Sequence, residues 1–256
     1  MTELDLIIEL HRDTKRQGPG SLESTIKALN WVDLDTNASL HIADIGCGTG
    51  GHTLELARTF ESAQITAIDL FPIFLDRLNQ QAAEAGLGDR IRTLETSMDD
   101  LPFEQESLDM IWSEGAIYNM GFKNGIAYWA QFLKSNGWLA VSEITWTTEE
   151  RPVELDEFWM AEYPEVALPS EKIEQLKEAG FDVIDYFMLP KSDWVQYYDE
   201  LSERIKDFER QFATHQDADV NEMAADIADA YRGEINKYKQ FSDYYSYGFY
   251  IARKCR

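Results

Sequence analysis

The sequence predicts an α/β fold with a doubly wound, mostly parallel sheet and a helical cap, and three observations lead to this prediction. Between residues 40 and 145, short apolar runs alternate with segments whose apolar residues recur at helical spacing, which is typical of strand-helix-strand units. A glycine-rich stretch, ADIGCGTGGHT at 43–53, follows the first apolar run. With 256 residues and 44% hydrophobic content the chain can bury one substantial core, so we expect a single domain over 1–256.

The five strands expected in the central part are separated by helical patterns. The candidate strands are LHIADI (40–45), QITAID (64–69), IRTLET (91–96), LDMIWS (108–113) and GWLAVSEI (137–144). The helical segments between them are HTLELARTF, PIFLDRLNQQAAEAG and GIAYWAQFLKSN, and Gly86 ends the second. Residues 40–145 should therefore form the central core, in which the glycine-rich stretch is the candidate for binding a cofactor.

Helical patterns flank this core on both sides. Residues 1–39 form an amino-terminal helical segment in which RQGPG interrupts two helices and Ser21 caps the second. In 146–256, a helix ending at Gly180 precedes a strand, and YYSYGFYIARK reads as the last strand. Between these two strands, apolar residues at intervals of three and four predict a pair of amphipathic helices at about 191–240, which we expect to cap the sheet.

The charge of the chain excludes some partners. A formal net charge of −24, from 47 acidic and 23 basic side chains, would repel nucleic acid and anionic membranes. A well-solvated surface, a salty habitat and a cationic substrate all remain compatible with it. The amino-terminal MTELDLIIELHR lacks the basic region of a secretory signal, and no apolar run is long enough for a membrane span, so we expect a cytoplasmic protein.

Metal and disulfide sites are not indicated by the sequence. Cys47 and Cys255 are the two cysteines, one in the glycine-rich stretch and one beside the carboxyl terminus, and we expect free thiols. No two of the four histidines have a spacing typical of metal ligands. We therefore predict no metal.

The glycine-rich stretch fits two ligand-binding patterns. Gly46, Gly48 and Gly51 have the spacing of a dinucleotide-binding loop, whereas Gly46, Gly48 and Gly50 have the tighter spacing of S-adenosylmethionine enzymes. Asp69 lies at the end of the second strand, 19 residues after Gly50, where an acid can accept hydrogen bonds from the ribose of either ligand. Alternatively, Asp69 is a solvated carboxylate in a turn.

Two further features favour S-adenosylmethionine. Asp44 lies two residues before Gly46, where a carboxylate would repel a diphosphate but attract the ammonium of a methionine moiety. In SMDDLPF at 97–103, Asp99 can accept a hydrogen bond from an adenine amino group while Met98 packs against the ring.

On these residues, most of 40–145 resembles the class I S-adenosylmethionine-dependent methyltransferases. The resemblance implies the Rossmann-like methyltransferase fold with seven strands, and S-adenosyl-L-methionine as the cofactor. Within the family the chain is most similar to small-molecule enzymes that act on quinone precursors, amines and other metabolites. The residues expected to bind the cofactor, including neighbours of the motif positions, are Asp44, Gly46, Cys47, Gly48, Gly50, Asp69, Leu70, Met98, Asp99, Ser113 and Gly115.

Methyl transfer from a sulfonium is an in-line displacement, and a base assists when the acceptor is a hydroxyl, a protonated amine or an acidic carbon. Glu114 can serve as this base, face the methionine ammonium or cap the next helix. His11 precedes a loop that can close over the cofactor, or it is a plain surface histidine, and we expect His52 to be structural. The candidate catalytic residues are therefore Glu114, His11, Tyr118 and Glu143.

An aromatic and acidic segment follows the core. Residues 145–166 contain Trp146, Trp159 and Tyr163 with seven acidic residues. Together with Tyr197 and Tyr198 they form a candidate cluster for binding a cationic amine. Ordinary packing and solvation explain the same residues, and an aromatic or quinone-like acceptor is equally compatible.

The sequence thus predicts transfer of a methyl group to a small molecule, at an oxygen, nitrogen or carbon atom that it does not specify. Two alternatives use the same glycine loop: an NAD(P)-dependent oxidoreductase and a non-catalytic protein that binds an adenosyl ligand. A homodimer is left open.

Overall fold

A computed structural model describes residues 1–256 and contains one seven-stranded sheet. Its strands, in chain order, are β1 His41–Ile45, β2 Gln64–Asp69, β3 Ile91–Glu95, β4 Leu108–Glu114, β5 Leu133–Trp146, β6 Phe181–Met188 and β7 Tyr245–Lys254. They lie in the order β3-β2-β1-β4-β5-β7-β6. Only β7 runs antiparallel to its neighbours β5 and β6, so the predicted doubly wound, mostly parallel sheet is confirmed.

Nine α-helices accompany the sheet. They are α1 Glu3–His11, α2 Leu22–Leu29, α3 Gly51–Thr59, α4 Pro72–Glu84, α5 Phe122–Ala130, α6 Val153–Glu162, α7 Pro169–Glu178, α8 Lys191–Phe212 and α9 Ala218–Phe241. As predicted, Ser21 caps α2, because its hydroxyl accepts a hydrogen bond from the backbone N–H of Ser24 at 3.1 Å. None of the helices has the length and apolarity needed to cross a membrane.

One helix-strand boundary differs from the prediction. The apolar spacing predicted a helix over 125–136 and a strand from 137, whereas α5 covers 122–130 and β5 begins at Leu133. Leu133 pairs with Leu108 in the sheet, and the backbone N–H of Leu108 donates to the carbonyl of Phe132 at 2.9 Å. Pairing with a neighbouring strand therefore overrides the local helical pattern.

The sheet separates two apolar cores. Successive residues of β4 point to opposite faces, so that Met110 and Trp112 join one core while Ile111 joins the other. A third core lies under the helical cap, which we define as α8 and α9. It joins α1, through Leu6 and Leu10, to the apolar faces of the cap and to the end of β5. This arrangement places α1 and the cap beside the carboxyl end of β5.

Candidate functional site

A cavity of about 300 Å³ lies at the carboxyl ends of the first four strands. Five segments line it: 15–19 before α2, the glycine loop and the start of α3, 68–71 at the end of β2, 96–99 after β3, and 114–120 after β4. Parallel α/β sheets bind ligands at this edge, where the strand order reverses between β1 and β4.

The glycine loop bends so that its backbone forms one wall of the cavity. Gly48 has φ +52, and a Cβ at this position would lie 1.9 Å from Oε1 of Gln17. Its immediate neighbour is therefore the segment before α2, as well as the cavity. Gly50, with φ +86, does not line the cavity, and a Cβ there would lie 2.1 Å from Cδ1 of Leu78 in α4. Gly50 thus allows close packing of helix and loop.

Asp69 lines the cavity, and neighbouring backbone groups fix its carboxylate. Oδ2 accepts a hydrogen bond from the N–H of Gly48 at 2.9 Å, and Oδ1 accepts one from the N–H of Phe71 at 3.0 Å. Burial raises the pKa of Asp69, although the backbone N–H donors oppose the rise. Each oxygen retains a lone pair, so the carboxylate can accept further bonds from a ligand in the cavity.

The remaining residues expected at the adenosyl end also meet at this cavity. Met98 and Asp99 line it after β3, and Trp129 Nε1 donates to the Met98 carbonyl at 3.1 Å, which holds that turn against α5. Gly46, Cys47, Leu70 and Gly115 line it as well.

Asp44 does not line the cavity and is fully buried. Its Oδ2 accepts a hydrogen bond from the Thr53 hydroxyl at 2.5 Å, and its Oδ1 lies 3.0 Å from Nε2 of His52. His52 itself lines the cavity. Burial acts to lower the pKa of His52, but the charges of Asp44 and Glu114 outweigh it and raise the pKa. His52, which was expected to be structural, lies between Asp44 and the cavity.

Glu114 lines the cavity, but strong partners occupy its carboxylate. Arg16 Nη1 donates to Oε2 at 2.6 Å, while Thr25 and Trp112 donate to Oε1 at 2.8 and 2.9 Å. Burial acts to raise the pKa of Glu114, but the Arg16 guanidinium, His52 and the two neutral donors outweigh it and lower the pKa. With these partners Glu114 anchors the segment 12–20, which we call the entry loop, and is not a free base.

Two further expected site residues, besides Asp44 and Gly50, lie away from the cavity. His11 is buried at the end of α1, with Nε2 3.0 Å from the Tyr231 hydroxyl, and burial and nearby Arg204 lower its pKa to about 4. It does not line the cavity, and because it is buried it is not the plain surface histidine expected as the alternative. Ser113 is also fully buried and donates to the Ile45 carbonyl at 2.8 Å, so it ties β4 to β1.

Glu143 forms a buried pair with Lys172 behind the cavity. The Lys172 ammonium lies 3.9 Å from Glu143 Oε1, both side chains are at most 1% exposed, and neither has a hydrogen-bond partner. Burial raises the pKa of Glu143 to about 7 against the opposing charge of Lys172. Tyr163 neighbours this carboxylate, and its ring lies 6.2 Å from that of Tyr118, a cavity residue with 46% exposure.

The aromatic residues grouped from the sequence do not form one binding cluster. Trp146 and Trp159 pack edge to face at 6.5 Å beside Tyr245, and Tyr198 is 4% exposed within the core of the cap. Apart from Asp156 and Glu165, the neighbouring acids are exposed. Packing and solvation therefore account for most of this group.

Several cavity residues were missed by the sequence analysis. Gln17 reaches the glycine loop, where its Oε1 accepts a hydrogen bond from the N–H of Thr49 at 3.0 Å. Phe71, Thr96 and Asn119 line the cavity just after β2, β3 and β4. Their positions directly after strand ends were the available signal, because ligands contact these loops in parallel sheets.

Comparison with known proteins identifies the central part of the chain. Residues 42–137 match the model of the family described as "Methyltransferase domain". Residues 42–137 therefore form a methyltransferase domain. This methyltransferase domain includes the glycine loop, Asp69, Met98 and Asp99, and the end of β4.

Curated relatives match over different lengths. The chain is 30% identical to a sarcosine/dimethylglycine N-methyltransferase of Aphanothece halophytica over 43% of this chain and 38% of the relative. It is 22% identical to the 27-O-demethylrifamycin SV methyltransferase of Amycolatopsis mediterranei over 86% of this chain and 79% of the relative. The first of these alignments spans only 38% of the relative. Alignments to a sterol 4-C-methyltransferase of Caenorhabditis elegans and to a glycine/sarcosine/dimethylglycine N-methyltransferase of Actinopolyspora halophila span 30% and 21% of those proteins.

Solved structures share the fold of the whole chain. An S-adenosylmethionine-dependent methyltransferase from Geobacter sulfurreducens, crystallised with S-adenosyl-L-homocysteine, has a TM-score of 0.84 and 15% identity over 98% of both chains. Another, from Thiobacillus denitrificans, has a TM-score of 0.81 and 16% identity over 97% of this chain and 98% of the other. At this identity the similarity establishes the fold around the methyltransferase domain.

Proposed function

We propose that the protein transfers a methyl group from S-adenosyl-L-methionine to a small-molecule acceptor. The observation that carries this proposal is the cavity in which Asp69, the glycine loop, and Met98 with Asp99 meet at the ends of neighbouring strands. Asp69 offers free lone pairs for ribose hydroxyls, and the backbone at Gly48 forms part of the cavity wall. These features fit an adenosyl ligand.

The chain's own residues would bind and enclose the reactants. When bound, S-adenosylmethionine supplies an electrophilic methyl group on a sulfonium. Asp69 would hold the ribose, and Asp99 the adenine amino group. Residues 15–19 of the entry loop line the cavity, held by Arg16 on Glu114 and by Gln17 on Thr49, and would shield the bound reactants from water. Methyl transfer needs mainly such positioning, because no covalent nucleophile is required.

The geometry argues against two expectations, namely that Glu114 is the base and that Asp44 contacts the cofactor directly. Asp44 would act through His52, and Glu114 would act as an anchor. Tyr118 lines the cavity and Glu143 lies behind it, so these two remain candidate bases, Glu143 through Tyr163. We keep both as proposals.

The names of the relatives support a role in small-molecule metabolism, since they include sterol, rifamycin and sarcosine methyltransferases. The net charge of −24 supports the absence of a nucleic acid partner. A cytoplasmic location and a homodimer remain predictions.

Isothermal titration with S-adenosylmethionine, S-adenosylhomocysteine and NAD tests the proposal. Asp69→Asn should weaken binding of S-adenosylhomocysteine about tenfold to a hundredfold, because it removes charge-assisted hydrogen bonds of about 1.5–3 kcal/mol. Asp89→Asn, at an exposed position before β3, is the matched control and should bind as the wild type does. Tight binding of NAD without binding of the adenosyl ligands would favour the oxidoreductase alternative. Binding of both adenosyl ligands without methyl transfer to a broad metabolite panel would favour the non-catalytic one.

A further inference from the structure

Glu234 of α9 is an exposed carboxylate on the helical cap. Burial by neighbouring residues nonetheless raises its pKa. The Tyr198 hydroxyl donates to its Oε1 at 2.9 Å and fixes the carboxylate. Three tyrosines that are only partly buried or exposed share its surroundings, and we call the group the tyrosine cleft: Tyr118, Tyr231, Tyr247 and Glu234.

The tyrosine cleft adjoins the proposed cofactor cavity. Tyr118 lines that cavity, and the Tyr247 ring lies against Gly115, where a Cβ would come within 2.8 Å of Cε2. Burial raises the pKa of Tyr118 and of Tyr231, and the charge of Glu234 raises both pKa values further. Tyr198, which holds Glu234, packs against Tyr197 with ring centroids 5.2 Å apart, and the Tyr197 hydroxyl donates to the carbonyl of the cavity residue Gln17 at 3.5 Å. The cleft meets the cavity at the end of β4, where the methionine part of the cofactor is expected.

The cleft combines aromatic faces with negative charge. Tyrosine rings attract a cation over their faces, and a carboxylate provides a counter-ion. Burial is the largest cause of the raised pKa of Tyr247. The neighbouring Tyr118 and the charges of Glu143 and Glu234 raise this pKa further. His11 contacts Tyr231 but is neutral near pH 7, because burial and nearby Arg204 lower its pKa to about 4.

The cations nearest to the cleft are turned elsewhere. Arg204 donates to the backbone carbonyls of Glu9 and Leu10, and Arg16 is paired with Glu114. Lys172 is fully buried beside Glu143. These three cations are therefore not available to an anionic acceptor in the cleft, whereas a cation would find the Glu234 carboxylate.

We propose that the tyrosine cleft binds the methyl acceptor and that this acceptor is an amine, held as its ammonium beside Glu234. The inference rests on the proposed function and names its substrate class. For transfer, the nitrogen first loses its proton to solvent water in the open cleft. Its lone pair then forms the bond to the methyl carbon while the bond from that carbon to sulfur breaks, and sulfur keeps the electron pair.

Binding of non-reacting cations to the protein saturated with S-adenosylhomocysteine tests this inference. Choline and tetramethylammonium have no nitrogen lone pair and cannot be methylated, and 3,3-dimethyl-1-butanol is the neutral isostere of choline. Calorimetry or ligand-observed NMR should show that at least one cation binds about tenfold more tightly than the isostere, a difference of about 1.4 kcal/mol. Glu234→Gln should remove most of this preference. The matched control is Glu222→Gln, an exposed carboxylate elsewhere on α9, which should leave the preference unchanged.

A second variant keeps the inference testable if Glu234→Gln does not fold. Tyr118→Leu removes an exposed aromatic face without emptying a core position and should weaken cation binding several-fold. Equal affinity for cations and isostere, or a preference that survives Glu234→Gln in a folded protein, would overturn the inference and favour a neutral acceptor. Failure of S-adenosylhomocysteine to bind would instead refute the proposed function. In that case, the affinities of the protein without S-adenosylhomocysteine for the cations and for the neutral isostere would still show whether the cleft binds cations.

Discussion

The ion pair between Arg16 and Glu114 holds the entry loop to the end of β4, and Arg16→Met should break it. The two side chains are 17% and 5% exposed and their charged atoms are 2.6 Å apart. Methionine retains an apolar stem, so the substitution removes the charge with little loss of packing. Glu114 then keeps only the neutral donors Thr25 and Trp112.

The structure sets the expected loss of stability. Removing one partner of a buried ion pair costs about 3–5 kcal/mol, and the two remaining donors favour the lower end, about 3 kcal/mol at pH 7. In the wild type, burial acts to raise the pKa of Glu114, but Arg16 and the other partners lower it below 4.5. The stabilisation by the pair is therefore fully present above about pH 4.5 and is lost as the pH falls through the lower folded-state pKa. The difference between variant and wild type should therefore shrink as the pH falls below about 4.5.

Urea denaturation followed by circular dichroism measures this difference at each pH. Arg58→Met is the matched control, because Arg58 is 52% exposed and lies 3.4 Å from Glu55 on the same helix. It should change stability by no more than about 0.5 kcal/mol. A loss for Arg16→Met no larger than that of the control, or one independent of pH, would refute the reasoning.

Three further predictions concern the core, the glycine loop and the entry loop. Burial raises the folded-state pKa of Glu143 to about 7, so its contribution to stability is lost as the pH rises through 7. Glu143→Gln should flatten the denaturation-derived pH profile between about pH 5 and 7, and parallel profiles would contradict this. Gly50→Ala should cost about 2 kcal/mol, because φ is +86 and Leu78 leaves no room for a Cβ. Calorimetry should find its folded form binding S-adenosylhomocysteine normally, and a large loss would place Gly50 in the site. Hydrogen exchange in residues 12–20 should slow when S-adenosylhomocysteine saturates the protein, and unchanged exchange would argue against closure of this loop.

The fold was predictable from the chain because its strands are short, apolar and separated by helical patterns. Tight turns such as that at Gly86, with φ +70, and the cap at Ser21 reinforce these boundaries locally. The boundary before β5 was predicted wrongly, because the apolar residues at 126, 129 and 133 fit a helix as well as a strand. Only the pairing of Leu133 with Leu108 distinguishes the two.

Part of the candidate site was also predictable. Asp69, Met98 and Asp99 follow strand ends, and the parallel arrangement of the strands brings such positions to one edge of the sheet. The roles of Asp44 and Glu114 could not be predicted, because a carboxylate has the same sequence signature whether its oxygens face a ligand or are occupied. Contacts with His52 and Arg16 determine this, and Arg16 is 98 residues from Glu114 in the sequence.

The sequence by itself determined the strand and helix pattern, the glycine loop and the acid at the end of β2, because these depend on local spacing and backbone conformation. Only the tertiary structure decided what faces the cavity. It turned His11 towards Tyr231, placed His52 between Asp44 and the cavity, and brought Glu234 of α9 to the Tyr198 hydroxyl of α8. The physical reason is that burial and charge pairing depend on side chains from distant segments, and their positions are set by how the cap and α1 pack on the sheet.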